Sequence, residues 1–288
     1  MKKCNLCPRN CGVDRAAKVG VCGCSDKVKI AKYMVHMWEE PCVSQKNGSG
    51  CIFFSGCALG CVYCQNKEIS QALKGEEISI LRLSEIMLEL QNMGVNNINL
   101  VTPTHFSEQI RAAIDLIRPQ LKIPVIYNTS GYESEEEILK MADYVDVFLT
   151  DVKYFSPDAS LKYSKAKNYY EVAKKALGAM LKLQPSIVLD NEGLIKKGVI
   201  VRHLVLPTLR KDSIAILNDL KESFDISKFK LSLMSQYTPD FCSEEYKEIK
   251  RRLTGFEYDS VLNHAIDLGY DGYFQDRNSS DKCYTPTF

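Results

Sequence analysis

Twelve cysteines stand in 288 residues, and ten of them fall between Cys4 and Cys64. Core packing would scatter such residues along the chain, whereas metal ligands gather where one short loop can surround an ion or a cluster. The tightest set, Cys57, Cys61 and Cys64, reads Cys-x-x-x-Cys-x-x-Cys. Three thiolates on one loop can ligate three irons of a cubane and leave the fourth iron open to a ligand that is not protein. Gly56 and Gly60 precede the first two of these cysteines and let the backbone wrap closely at little steric cost. A zinc loop completed from elsewhere, or three packed cysteines, are the competing readings.

A second set, Cys4, Cys7, Cys11 and Cys22, reads Cys-x-x-Cys-x-x-x-Cys, with the fourth cysteine after ten intervening residues. Four thiolates close a tetrahedral zinc site, and the same set can hold a second [4Fe–4S] cluster. Unmetallated thiols are the third reading, and Cys24 is a possible substitute for Cys22. Cys42 and Cys51 read as small apolar residues.

Positioning such loops calls for a rigid frame. Beyond Gly75 short β-branched runs alternate with amphipathic patterns. The runs predict buried strands over Cys51–Ser55, Asn97–Thr102, Pro124–Thr129, Val145–Thr150, Val199–Leu206 and Phe229–Met234. Helices are predicted over Leu83–Met93 with Ser84 as N-cap, Phe106–Ile117, Ser134–Ala142, Tyr169–Leu183, Asp212–Ser223, Glu244–Leu253 and Tyr258–Leu268. Repeated strand–helix units give an α/β fold, either an open doubly wound sheet or a (β/α) barrel. Compact polar groups follow four of the strands: Thr102-Pro103-Thr104-His105, Asn128-Thr129-Ser130-Gly131, Asp151-Val152-Lys153 and Ser235-Gln236-Tyr237. In a barrel, residues at the C-terminal ends of several strands share one site, which is the expectation here.

Charge and hydropathy exclude other classes. Lys+Arg 37 against Asp+Glu 36 gives a net charge of +1, with no global footprint for nucleic acid or an anionic membrane. No apolar stretch reaches the roughly 20 residues that span a bilayer, and no apolar run follows the two N-terminal lysines. The expectation is a soluble cytoplasmic protein with free thiols.

The Cys-x-x-x-Cys-x-x-Cys loop, its place after a first strand and the aromatic Tyr63 before the last cysteine together resemble the radical S-adenosylmethionine (SAM) superfamily. The strings CNLCPRNCGVDR, GSGCIFFSGCALGCVYCQN, NINLVTPTH, YNTSGY, VRHLVLP and MSQY resemble its PflX-type branch, related to pyruvate formate-lyase activating enzyme. The resemblance implies a partial (β/α)6 TIM-like barrel over residues 46–272, a small Cys-rich N-terminal lobe over 1–45 and a C-terminal tail over 273–288. It implies a [4Fe–4S] cluster on Cys57, Cys61 and Cys64, with SAM on the open iron. Reductive cleavage would then give a 5′-deoxyadenosyl radical that takes hydrogen from a substrate. Thr102 and Thr104 would stand where many relatives carry a glycine-glycine-glutamate turn. Asn128, Thr129, Ser130, Asp151, Lys153, Arg202 and Gln236 would complete the SAM and substrate contacts, with Arg202 favoured over His203 for the carboxylate. His105 is a candidate for facing the substrate, and the string His36-Met37-Trp38-Glu39-Glu40-Pro41 is either cavity lining or a linker. The implied partners are a flavodoxin or ferredoxin-type electron donor and a glycyl radical enzyme; a small molecule or peptide is the alternative substrate. A zinc-stabilised binding or regulatory protein is the alternative of a different class.

Overall fold

A computed structural model describes residues 3–275 of the chain. Among them one sheet is built from β1 (Val28–His36), β2 (Ser49–Phe54), β3 (Glu76–Ile78), β4 (Ile98–Val101), β5 (Val125–Thr129), β6 (Val147–Asp151), β7 (Val188–Leu189), β8 (Ile195–Leu204), β9 (Phe229–Met234) and β10 (Gly272–Phe274). Its order is β10-β9-β8-β6-β5-β4-β2-β1-β3, with β7 attached to β8. Along that order from β2 to β10 neighbours pair in parallel, while β1 pairs antiparallel with both β2 and β3, and β7 antiparallel with β8. The sheet stays open rather than closing on itself, as a partial barrel does. The helices are α1 (Pro41–Ser44), α2 (Lys67–Ser70), α3 (Ile80–Asn92), α4 (Ser107–Ile117), α5 (Glu135–Leu139), α6 (Pro157–Ser164), α7 (Tyr169–Leu183), α8 (Arg210–Ser223) and α9 (Gly255–Asp267).

The parallel strands are short apolar runs because both of their faces are covered: every residue of β2, β4 and β5 is buried. Helix α3 buries Leu83, Ile86, Met87 and Leu90, a spacing that places one stripe against the sheet. Helix α9 starts at a reciprocal capping box, with the Thr254 side chain on the Glu257 N–H and the Glu257 carboxylate on the Thr254 N–H.

All six strands predicted from sequence are present, as β2, β4, β5, β6, β8 and β9. Some boundaries and elements differ for identifiable reasons. Helix α3 is capped not by Ser84 but by Ser79, whose extended backbone lets its hydroxyl accept from the Arg82 N–H at 3.0 Å; Ser84 is buried inside the helix. The segment Glu244–Leu253 forms turns instead of a helix, held by Tyr163 donating to Glu248 and Tyr237 donating to the Ile249 carbonyl. Helix α6 was not predicted, although Ser156 as N-cap followed by Pro157 at the first position is its local signal. Strand β10 adds residues 273 and 274 to the sheet rather than to the tail. The proposed tail residues 276–288 lie outside the described residues.

At the end of β5 the chain turns at Gly131 with φ of 78°, and a Cβ there would meet the Asp151 carbonyl oxygen at 2.1 Å. Strand ends β5 and β6 approach this closely only because the residue is glycine. The left-handed conformation costs an alanine about 1–2 kcal/mol, and the clash adds a similar amount. Gly131→Ala should therefore lose about 3 kcal/mol in denaturant unfolding; a loss under about 1 kcal/mol would show that these strand ends are loosely packed.

Candidate functional site

The loop after β2 carries the first cysteine set. Gly56 has φ of 87°, and a Cβ there would lie 2.6 Å from both the Cys22 carbonyl oxygen and the Cys24 Sγ, so this position requires glycine. Gly60 also has positive φ, 65°. The intervening chain turns so that Cys57, Cys61 and Cys64 line one cavity of about 260 Å³. Each thiol has a polar neighbour. The Leu59 N–H points at Cys57 Sγ at 3.4 Å, Ser70 Oγ lies 3.3 Å from Cys64 Sγ, and Ser164 Oγ donates to Cys61 Sγ at 2.9 Å. Because the Ser164 proton goes to sulfur, its oxygen accepts from the Tyr154 hydroxyl at 2.7 Å, which in turn accepts from the Tyr63 hydroxyl at 2.7 Å. Three hydroxyls thus donate in sequence toward one sulfur, an arrangement suited to a thiolate. Burial pushes the Cys61 thiol up to about 12, and it raises Cys64 as well. Thiolates at these depths need a cationic centre beside them, and a three-thiolate loop of this kind fits an iron–sulfur cluster.

The strand ends complete the cavity. Thr102 follows β4, Asn128, Thr129 and Ser130 end β5, Asp151 and Lys153 end β6, Arg202 and Leu204 come from β8, and Met234 and Gln236 from β9. Thr102 has φ of 60°, which is strained for a β-branched residue, and its N–H donates to the Asn128 carbonyl at 2.8 Å. Arg202 is the electrostatic centre. Its Nε meets Asp151 at 2.9 Å, one terminal nitrogen donates to Asn128 Oδ1 at 2.6 Å, and the other meets Glu39 at 3.4 Å. Lys153 pairs with the second Asp151 oxygen at 2.5 Å. Burial opposes ionisation of Asp151, but Arg202 and Lys153 outweigh it and hold the carboxyl below the usual range. Burial raises Glu39 despite Arg202 and Asn99.

Of the residues singled out from sequence, Thr102, Asn128, Thr129, Ser130, Asp151, Lys153, Arg202, Gln236, Cys57, Cys61 and Cys64 all line this cavity. Thr104 does not: it is buried behind the strand ends and donates to Glu133 at 2.5 Å. The Thr129 hydroxyl donates to the same Glu133 oxygen. His105 is also outside the cavity, with its Nε2 on the Ser55 carbonyl at 2.7 Å and burial pulling it down to about 4. The neutral ring therefore donates from Nε2. His203, next to Arg202, points to the other face of β8, where Nδ1 meets the Val152 carbonyl at 2.6 Å. Cys4, Cys7, Cys11 and Cys22 lie outside the cavity in the N-terminal segment.

Two buried carboxylates complete the site: one lies in a string that the sequence left open between cavity lining and linker, and the other was missed. Glu39 lines the cavity together with His36 and Trp38, so the segment between β1 and α1 is cavity wall. Of the two readings of the His36–Pro41 string, cavity lining is the one the structure bears out. Glu133 sits below the strand ends, pushed up to about 7 by burial, and nothing in its surroundings in sequence marks it.

Comparison with known proteins adds a family. A model described as the Radical SAM superfamily matches residues 51–222. An uncharacterized protein of Methanocaldococcus jannaschii is 30% identical over 285 residues, covering 94% of this chain and 77% of the relative. Among solved structures, a radical SAM methyltransferase from Sphaerobacter thermophilus aligns with TM-score 0.52 at 13% identity, over 78% of this chain and 65% of that one. SuiB of Streptococcus suis bound to S-adenosylmethionine aligns with TM-score 0.50 at 12% identity, over 76% of this chain. This chain spans only 47% of SuiB. At these identities the two structures share the fold.

The pairing of Asp151 has a pH signature. Its carboxyl is held below the unfolded value of about 3.9, so its contribution is complete above that pH and is lost as pH falls through the folded value. Asp151→Asn should cost about 3 kcal/mol at pH 7 by leaving Arg202 and Lys153 under-compensated, with the gap to wild type closing below about pH 4. Urea unfolding of both proteins between pH 3 and 7 measures this, and a gap that does not change with pH would refute the pairing.

Proposed function

The chain belongs to the radical SAM superfamily, and from that membership we propose that it cleaves SAM reductively to activate a glycyl radical enzyme, in the manner of the PflX-type branch it resembles. The observation that carries the SAM chemistry is the convergence of Cys57, Cys61 and Cys64 with five other strand ends on one cavity. When bound, the cluster and SAM supply one-electron cleavage of the sulfonium and a 5′-deoxyadenosyl radical that abstracts hydrogen.

The protein's own groups position and shield these partners. A guanidinium has five N–H donors, of which Arg202 uses three on Asp151, Asn128 and Glu39, so two remain for a ligand carboxylate. Asp151 and Glu39 fix that guanidinium in orientation rather than leaving it to swing. Ser130, Gln236 and the strained Thr102 turn offer hydroxyl, amide and carbonyl groups around the cavity for an ammonium or ribose. Phe53, Phe54, Leu59, Ile69 and Met234 give the rest of the wall an apolar surface that excludes water. A flavodoxin or ferredoxin-type protein is the proposed electron donor. Among the described residues no helix is long and apolar enough to cross a membrane. We place the protein in a reducing cytoplasm, in keeping with its free thiols.

Anaerobic reconstitution with iron and sulfide tests the chemistry. Dithionite and SAM should then yield 5′-deoxyadenosine, and Cys57→Ala should reduce this at least about 100-fold, a barrier difference of about 2.7 kcal/mol. Fully reconstituted protein that leaves SAM intact would refute the reading. A glycyl radical on a partner, seen by electron paramagnetic resonance, is the expected result for the activating role; deuterium transfer from a small molecule into 5′-deoxyadenosine would replace it with the small-molecule alternative.

A further inference from the structure

The N-terminal segment is ordered without the usual means. Residues 3–27 contain no helix or strand, and their buried side chains are Leu6, Cys7, Arg15, Cys22 and Cys24. One leucine and three cysteines bury far too little apolar surface to offset the ordering of such a segment, at about 25 cal/mol per Å² against about 1.5 kcal/mol per residue. Small segments of this kind are held by disulfides or metals, and the described cysteines are all free.

The thiols converge. Cys4 lies within hydrogen-bonding reach of Cys11, Cys22 lies beside Cys24, and Cys7 is near both Cys4 and Cys22. At Gly20 a Cβ would lie 3.4 Å from Cys22 Sγ and 3.6 Å from Cys11 Sγ, so the third and fourth thiols of the motif meet at one bare stretch of backbone. The chain reaches this arrangement through left-handed residues at Asn10, Gly12 and Gly23, with the Gly12 N–H on the Cys4 carbonyl and the Asn10 N–H on the Cys7 carbonyl. Among the described residues no three ligating side chains close on a point as for a single ion, and this holds equally for Cys57, Cys61 and Cys64. The N-terminal thiols sit in a segment that packs against the Cys57–Cys64 loop: the Cys57 N–H donates to the Cys22 carbonyl at 3.3 Å, and the Cys24 thiol donates to the Ser55 carbonyl at 3.1 Å.

We infer that Cys4, Cys7, Cys11 and Cys22 hold a second [4Fe–4S] cluster, seated against the back of the Cys57–Cys64 loop. With four thiolates and no open iron, this cluster binds no SAM. The inference takes from the proposed function only the assignment of the first cluster.

Metal content separates the two sites. The full chain reconstituted anaerobically should carry about eight irons, and the Cys57→Ala/Cys61→Ala/Cys64→Ala variant about four, with a reduced-state paramagnetic signal that SAM leaves unchanged. The Cys7→Ser/Cys11→Ser variant should keep about four irons and a signal that SAM alters. Wild-type protein saturating at about four irons, or a triple variant carrying zinc and no sulfide, would overturn the second cluster. The wild-type count decides the matter even if a variant fails to fold. Eight irons with no SAM-sensitive signal in any variant would instead defeat the proposed function and leave this site standing.

Discussion

A loop that surrounds a metal centre cannot satisfy its own backbone, and this constraint organises the molecule. Buried N–H and carbonyl groups must find partners, and the segment from Gly56 to Cys64 has no strand or helix to supply them. Partners come from distant parts of the chain. The Gly56 N–H goes to Ile69, the Cys57 N–H to Cys22 and the Val62 N–H to Tyr163, while the Ala58 carbonyl accepts from Arg9 and the Cys61 carbonyl from Gln71. The N-terminal segment, α2 and α6 are thereby drawn to one place. A loop tethered in this way presents its thiols in fixed positions before any metal arrives.

The charged half of the cavity obeys the complementary rule. Buried charges persist when paired, and here Arg202 pairs with Asp151 and Glu39, and Lys153 with Asp151, from three different parts of the chain. Such a network adds little to stability compared with a well-packed apolar core, since desolvation consumes most of the Coulomb gain. Its retention at the strand ends makes sense as preorganisation: cation and anion positions are set by the sheet rather than by the ligand. The Asn99 Oδ1 atom and one Glu40 oxygen are buried with no hydrogen-bond partner in this structure, and each such atom costs about 1–3 kcal/mol.

The frame was legible in sequence because parallel strands buried on both faces leave short, β-branched apolar runs, set apart from the longer helical patterns between them. Their polar endings were legible for the same reason, since a polar cluster at the end of such a run has to face a rim. What sequence could not resolve was which atoms of a polar cluster face inward. Thr104 and Thr129 look alike as hydroxyls near strand ends, yet both donate to Glu133, a carboxyl four residues beyond Thr129 that lies beneath the rim. Strand β1 was missed because only one of its faces packs: buried Val28 and Ile30 stand among half-exposed residues, including Lys29 and Lys32. The turn segment over Glu244–Leu253 has helical periodicity but is captured by Tyr163 and Tyr237, a tertiary choice invisible to local pattern.

Arg9 shows how far the parts depend on one another. Its guanidinium donates to the Ala58 carbonyl at 2.7 Å in the cysteine loop, and to the Ser164 and Lys165 carbonyls at the end of α6. It also lies over the Tyr132 ring at 5.3 Å. Those carbonyls are the ones a helix C-terminus leaves without partners, so a cation there satisfies them and opposes the negative end of the helix dipole. Ser164, whose carbonyl is held by Arg9, is the same residue whose hydroxyl donates to Cys61. One arginine from a segment with almost no core of its own therefore fixes both the backbone of the cysteine loop and the hydrogen-bond donor to one of its thiols. Groups joined through shared partners in this way do not contribute additively. The N-terminal segment and the cysteine loop form one unit: the order of each is a condition for the order of the other.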